Sequence, residues 1–305
     1  MTDPLAEVVS LLQPGMRFTK IVGAAGRWGV RRTEMGQPSY CVVLDGTCRL
    51  EIAGSAPLSL EPGDFVLIPA TYDFSMSSLA PPPARDFDRL PVQVGPGEFR
   101  LGTSSEACDV RFLIGHCTFG SPNAALLVSL LPRYVHVRDE PRLAALVQLV
   151  ADEARAGRPA RDVVLAHLLE VLLIEALRGA AGTDAPPGLA RGLADQRLAH
   201  ALRALHAAPA RAWTVTDLAR EAAMSRSAFF DRFSRTVGMA PMAYLLTWRM
   251  ALAKDLLRRG DCGIAEVAER TGYSSASTFS VAFARHVGVP PARYGRGVVE
   301  SLSAA

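Results

Sequence analysis

The chain has no CxxC pair, no zinc-finger spacing of cysteine and histidine, and no uninterrupted hydrophobic run of membrane length. The five cysteines, Cys41, Cys48, Cys108, Cys117 and Cys262, are odd in number and dispersed, which excludes a disulfide framework and fits reduced thiols packed as small hydrophobes. The longest strongly apolar stretch, VVLAHLLEVLLIEAL at 163–177, is broken by His167, Glu170 and Glu175 and falls short of a bilayer about 30 Å thick. The N-terminus carries acids where a signal peptide needs basic residues, so no membrane contact and a cytoplasmic location are expected. Lysine is scarce and arginine supplies the positive charge.

What is present suits two ordinary domains. The 305 residues are 49% hydrophobic and 21% charged, so each half can bury a core. The net charge of +3 is unevenly placed: from residue 194 onward the chain holds 15 basic against 9 acidic residues, and the excess is acidic before that. A basic C-terminal third points towards nucleic acid.

Residues 27–120 read as short strands. Ser39 to Ala53 alternates around Asp45-Gly46, a favoured hairpin turn, which would set Val43 opposite Cys48. Glu61-Pro62-Gly63-Asp64 is a second turn, and further strands are expected at 98–103 and 108–119, together forming a small barrel. After Pro141 the period becomes helical. The segment 161–178 is apolar almost all round, so it is expected to pack on the barrel and on a second subunit. GAAGTDAPPG at 179–188 has linker composition.

The last third contains a repeat. LAREAAMSRSAFFDRFSRTVGMAP at 218–241 echoes VAERTGYSSASTFSVAFARHVGVPP at 267–291, with Phe229, Phe233, Val237 and Gly238 matching Phe279, Phe283, Val287 and Gly288. Thr214 with Asp217 makes a capping box, and Ser225 an N-cap. The spacing therefore predicts two helix-turn-helix units, 214–238 and 264–288, joined by a helix near 242–259. With each phenylalanine pair turned inward, Ser227, Phe230, Asp231 and Ser234 face outward in the first unit, and Ser277, Ser280, Val281 and Ala284 in the second. Small outward residues suit a helix that enters a major groove about 12 Å wide. Arg226, Arg232, Arg235 and Arg285 are positioned to neutralise phosphates.

WTVTDLAREAAMSRSAFFDRF, PMAYLLTWRMALAKDLL and IAEVAERTGYSSASTFSVAFARHVGVPPARY closely resemble the AraC/XylS family of bacterial transcription regulators. DPLAEVVSLL, SYCVVLDGTCRLEI, LEPGDFVLIPA and IGHCTF resemble the cupin-like sensor domain of one branch of that family. The resemblance implies an α+β multidomain protein: a cupin-like barrel at 1–140, a helical dimerisation segment at 141–180, a linker at 181–193 and an all-α double helix-turn-helix domain at 194–305. It implies base reading by Ser227, Phe230 and Asp231 in the first unit and by Ser277, Thr278 and Val281 in the second. Many relatives have arginine where Asp231 and Val281 stand, so DNA shape and phosphate contacts are expected to take more of the load here.

The implied partners are double-stranded DNA, RNA polymerase, a second copy of the chain and a small-molecule effector that no residue identifies; activation is the commoner mode. Metal-binding cupins place ligands near Gln37-Pro38-Ser39-Tyr40 and Tyr72-Asp73-Phe74, where no three-ligand set stands, so neither metal, cofactor nor enzyme activity is expected. The alternatives are a redox switch through Cys41 and Cys48, placed as diagonal neighbours on one hairpin face, and a cupin enzyme fused to a DNA-binding domain. In the redox-sensing relatives a cysteine stands where this chain has Ile114. His116 and Cys117 fall on opposite faces of one strand, so His116 reads as a packed or surface residue.

Overall fold

The computed structural model describes residues 3–33, 38–70, 73–83, 87, 90–103, 107–121, 124–156, 158–179 and 185–295. Helix α1 (Pro4–Leu12) is followed by β1 (Pro14–Ala25), β2 (Gly29–Arg32), β3 (Ser39–Asp45), β4 (Cys48–Ile52), β5 (Leu58–Leu60) and β6 (Phe65–Ile68). Next come β7 (Phe74–Ser77), β8 (Val92–Gly95), β9 (Glu98–Gly102), β10 (Val110–Phe119), α2 (Ala124–Val128) and β11 (Val135–Val137). The helices that follow are α3 (Pro141–Ala156), α4 (Arg161–Gly179), α5 (Leu189–Ala194), α6 (Gln196–Ala207), α7 (Val215–Glu221), α8 (Arg226–Val237), α9 (Pro241–Arg259), α10 (Ile264–Arg270) and α11 (Ala276–Val287). They form two compact units: Gln13–Gly120 with Pro132–Pro186, and Met1–Leu12 with Ser121–Leu131 and Pro187–Ala305.

The first unit is a barrel of two sheets, in the orders β11-β6-β3-β10-β1-β9-β8 and β2-β7-β4-β5. Its core includes Val22, Val43, Leu50, Leu60 and Phe112. The expected hairpin across Asp45-Gly46 does not form: β3 pairs with β10 and β6, whereas β4 pairs with β5 and β7 in the other sheet. Val43 is opposite Phe112 rather than Cys48, and the two-residue link is a corner between sheets. The reason is burial. Tyr40, Cys41, Val42 and Val43 are all buried, so β3 needs a neighbour on each edge and cover on both faces, which a peripheral hairpin cannot supply. Gly46, at φ 74°, is required by close approach, since a Cβ there would lie 1.9 Å from the Asp109 carbonyl oxygen. Glu61-Pro62-Gly63-Asp64 likewise carries the chain from one sheet to the other.

Helix α4 packs on β1 and β11 through Leu165, Leu169, Leu172 and Leu173, and α3 lies beside it. Val163, Val164 and Val171 of α4, with Leu149 of α3, remain exposed. The apolar character of 161–178 on more than one side is thereby accounted for in part by the barrel.

The second unit is all helical. The short N-terminal helix belongs here: Leu5, Val8, Val9 and Leu12 are buried, and α1 packs on α2 and α6. The imidazole of His206 in α6 is buried between two partners, Nδ1 at 2.8 Å from the Glu7 carboxylate and Nε2 at 2.7 Å from the Tyr244 hydroxyl of α9. Helix α9 carries Tyr244 and Trp248 into one core and Met250, Ala253 and Leu257 into another, where Phe279, Phe283 and Val267 meet them. Helix α5 lies partly within the stretch expected as linker.

Candidate nucleic-acid interface and barrel cavity

The two repeats fold alike because the matched residues do the same work. Phe229 and Phe233 are fully buried with ring centroids 5.5 Å apart at 50°, and Phe279 and Phe283 repeat this at 5.5 Å and 51°. Ser225 Oγ accepts the Ala228 N–H at 3.3 Å, and Ser275 Oγ accepts the Thr278 N–H at 3.1 Å. Each second helix ends at a left-handed glycine, Gly238 or Gly288, both at φ 88°. The Thr214–Asp217 capping box is complete at the head of α7. At the turn between helices the first unit uses Ala223 at φ 50° where the second uses Gly272 at φ 79°, so only the first holds a side chain in the left-handed region there.

With both phenylalanine pairs inward, the outward faces follow from helical geometry. On α8, Arg226, Ser227, Phe230, Asp231, Arg232 and Arg235 are exposed, Phe230 at 43%. On α11, Ser277, Thr278, Val281 and Arg285 are exposed, Val281 at 72%. The faces are narrower than expected: Ser234, Ser280 and Ala284 are half-buried, and the Ser280 hydroxyl donates back to the Ala276 carbonyl at 2.7 Å. Thr278 is committed in part to the cap, its Oγ1 lying 2.9 Å from Ser275 Oγ.

Arg232 differs from the other arginines. It donates to the Asp195 carboxylate, which itself caps α6 by accepting the N–H groups of Arg197 and Leu198 at 3.0 and 3.2 Å. That ion pair ties α8 to α6, and the sequence carries no sign of it because the partners are far apart in the chain.

In the barrel, Cys41 and Cys48 are free, buried and on facing sheets rather than on one hairpin face. Burial, then the neighbouring Asp64 carboxylate, pushes the Cys48 thiol up to about 12; burial and the nearby Cys48 push Cys41 up as well. A thiol is attacked by oxidants as its thiolate, so both positions are poor nucleophiles at neutral pH. Gln37 and Tyr72 lie outside the described residues; Asp73 is paired with Arg31.

His116 and Cys117 fall on opposite faces of β10, as alternation requires, and His116 lines a cavity inside the barrel. The cavity holds about 90 Å³ of space open to a water-sized molecule. Burial first, then the charges of Lys20, Arg32 and Arg17, pushes the imidazole of His116 down to about 4. Because that value lies below the ordinary histidine pKa of about 6.5, the folded barrel holds a neutral ring. Its contribution to stability is full above about pH 6.5 and is lost as pH falls towards 4, where the unfolded chain takes up the proton first. Thermal unfolding from pH 7 to 4.5 is expected to show a smaller fall in Tm for His116→Leu than for wild type. His206, held below its ordinary value by burial, is common to both proteins and cancels. Equal falls in Tm would place the imidazole in solvent.

A pair of helix-turn-helix units with matched exposed helices, on a chain that also folds a β-barrel, defines a two-domain DNA-binding regulator. The cupin family model matches residues 3–182 and the helix-turn-helix domain model residues 218–297. A putative AraC-like transcription regulator of Streptomyces lividans is 36% identical, covering 96% of this chain and 97% of its own. Another from Streptomyces antibioticus is 35% identical, covering 96% and 98%. The HTH-type transcriptional regulator AlkR of Acinetobacter baylyi is 30% identical, covering 90% and 92%. The chain belongs to the AraC family of transcription regulators, with an N-terminal cupin domain and a C-terminal AraC-type DNA-binding domain. No described helix is long and apolar enough to cross a membrane.

Proposed function

We propose that the protein is a cytoplasmic transcription activator that binds promoter DNA as a homodimer, contacts RNA polymerase and answers to a small molecule held in the barrel. The observation that carries the DNA-binding part is the duplicated exposed face: equivalent positions on α8 and α11 are solvent-facing while the equivalent phenylalanines are buried. Ser277, Thr278 and Val281, with Ser227, Phe230 and Asp231, are the proposed base-reading set; Arg226, Arg235 and Arg285 are the proposed phosphate contacts. The exposed Leu149 of α3 and Val163, Val164 and Val171 of α4 support a second copy as the partner of that surface. The cavity in the barrel supports an effector. The burial and raised pKa of Cys41 and Cys48 argue for ligand control over thiol control.

Gel retardation of the full chain on the DNA upstream of its own gene, across a salt series, tests this reading. Each phosphate contact releases a counterion, so Arg226→Ala and Arg285→Ala are each expected to lower the slope of log K against log salt by about 1. Arg232→Ala is expected to leave the slope unchanged and to lower thermal stability instead, since Asp195 already neutralises that guanidinium. Absence of any retarded complex at low ionic strength would refute the proposal.

A further inference from the structure

Part of the barrel cavity's lining is cationic, with no carboxylate partner for its charges among the described residues. Alternation along β1 turns Lys20 to the same side as Val22 and Ala24, along β2 it turns Arg32 to the side of Val30, and along β10 it turns His116 to the side of Phe112 and Ile114. The body of the cavity is apolar, walled by Trp28, Leu50, Leu60, Met76 and Phe112. Lys20, Arg32 and His116 therefore stand together at the end of a hydrocarbon-lined space.

Neither cation has a carboxylate partner among the described residues. The Lys20 ammonium lies over the rings of Phe18 and Phe99, 5.7 and 5.5 Å from their centroids, and Arg32 donates to the Arg31 carbonyl at 2.9 Å. Burial, and then the charge of Arg32, hold the Lys20 ammonium below the usual lysine range. On the outer wall of the same barrel the arrangement is the reverse: Arg31, Arg49 and Arg111 pair with Asp73, Glu51 and Asp45. Among the described residues the outer-wall arginines have acids, and the half-buried cations that need a counter-charge have none. Like charges brought together out of water destabilise a fold, and they persist where a ligand supplies the opposite charge. In a chain whose only other lysine is Lys254, a lysine facing the cavity is also conspicuous in composition.

We propose that the barrel binds an elongated apolar molecule ending in a single carboxylate, the hydrocarbon seated against Trp28, Leu50, Leu60, Met76 and Phe112 and the carboxylate held by Lys20 and Arg32. The inference rests on the reading of the barrel as the effector domain and names the chemical class of the effector. Arg32 offers a planar fork matched to two carboxylate oxygens, Lys20 a point charge, and the neutral His116 ring an N–H donor. Polyols and sugars are disfavoured because the apolar wall offers their hydroxyls too few partners, and amines are disfavoured by the two cations.

Isothermal titration of the full chain, without DNA, with hexanoate, octanoate and decanoate and with the primary alcohol of each length tests the proposal. At least one acid is expected to bind at least ~10-fold more tightly than its alcohol and to raise the Tm. Lys20→Met and Arg32→Met are expected to reduce acid affinity to that of the alcohol. Lys20→Met is also expected to raise the Tm of the ligand-free protein, because the charge it removes has no carboxylate partner among the described residues; this shows that the variant folds. Arg31→Met, on the outer side of the same strand, is expected to bind acid as wild type does. The proposal is overturned if no acid binds, if alcohols bind as well as acids, or if the two cavity variants keep full acid affinity. Acid binding that leaves operator affinity unmoved in a parallel retardation assay would uphold the ligand class and remove the effector reading.

Discussion

Val281→Glu is expected to weaken operator binding by at least ~100-fold, about 2.7 kcal/mol, while leaving the Tm within about 3 °C of wild type. Val281 is 72% exposed on the outward side of α11, so the substitution costs no core packing and buries no charge in the free protein. On DNA the same carboxylate would enter the groove between two phosphate backbones, where like-charge juxtaposition costs several kcal/mol. The matched position in the first unit already carries an acid, Asp231. With that asymmetry α11 is expected to make the closer groove contact and α8 to rely more on Arg226 and Arg235. Retention of wild-type affinity by Val281→Glu would mean that α11 does not face DNA.

Phe279→Ala, two residues away on the same helix, is expected to give the opposite signature: a loss of about 3–5 kcal/mol of stability with no specific effect on DNA beyond unfolding. Phe279 is fully buried, edge-on to Tyr273 at 5.6 Å and 5.5 Å from the Phe283 ring, so truncation leaves a cavity that its aromatic neighbours cannot fill. Against a typical domain stability of 5–15 kcal/mol this is a large fraction. Trp213 and Trp248 belong to the helical unit and Trp28 to the barrel, so urea denaturation followed by fluorescence in a Trp28→Phe background reports on the helical unit alone. A loss below about 1 kcal/mol would show that the site repacks and that Phe279 is not a core anchor.

The contrast between these neighbours explains why the DNA-binding half was legible in the sequence. Helix caps and faces are set by residues within four positions of each other: Thr214 and Asp217, Ser225 and Ala228, Phe279 and Phe283. A 3.6-residue period, read twice in one chain, suffices to separate buried from outward positions. The limits of that reading were also local. Spacing alone points Ser280 outward, yet its hydroxyl turns back to Ala276.

In the barrel the strands near 98–103 and 108–119 were legible from period-2 alternation, and so was the opposition of His116 and Cys117. Strand pairing was not. Asp45-Gly46 is a strong hairpin signal, but the four consecutive buried residues of β3 demand neighbours on both sides, and β10 and β6 supply them. Cys41 and Cys48 therefore lie on two facing sheets and not on the one hairpin face that the turn signal predicts.

By itself the sequence determined the repeat, its caps, its buried aromatic pairs and the composition of its exposed faces, because each depends on short-range spacing that no distant residue can alter. Only the tertiary structure decided which sheet each barrel strand joins, that Glu7 meets His206, that Arg232 is held by Asp195, and that Lys20, Arg32 and His116 gather at one end of a cavity. Those contacts join residues far apart in the chain, and which distant partners meet is set by the packing of the whole unit and not by any local pattern.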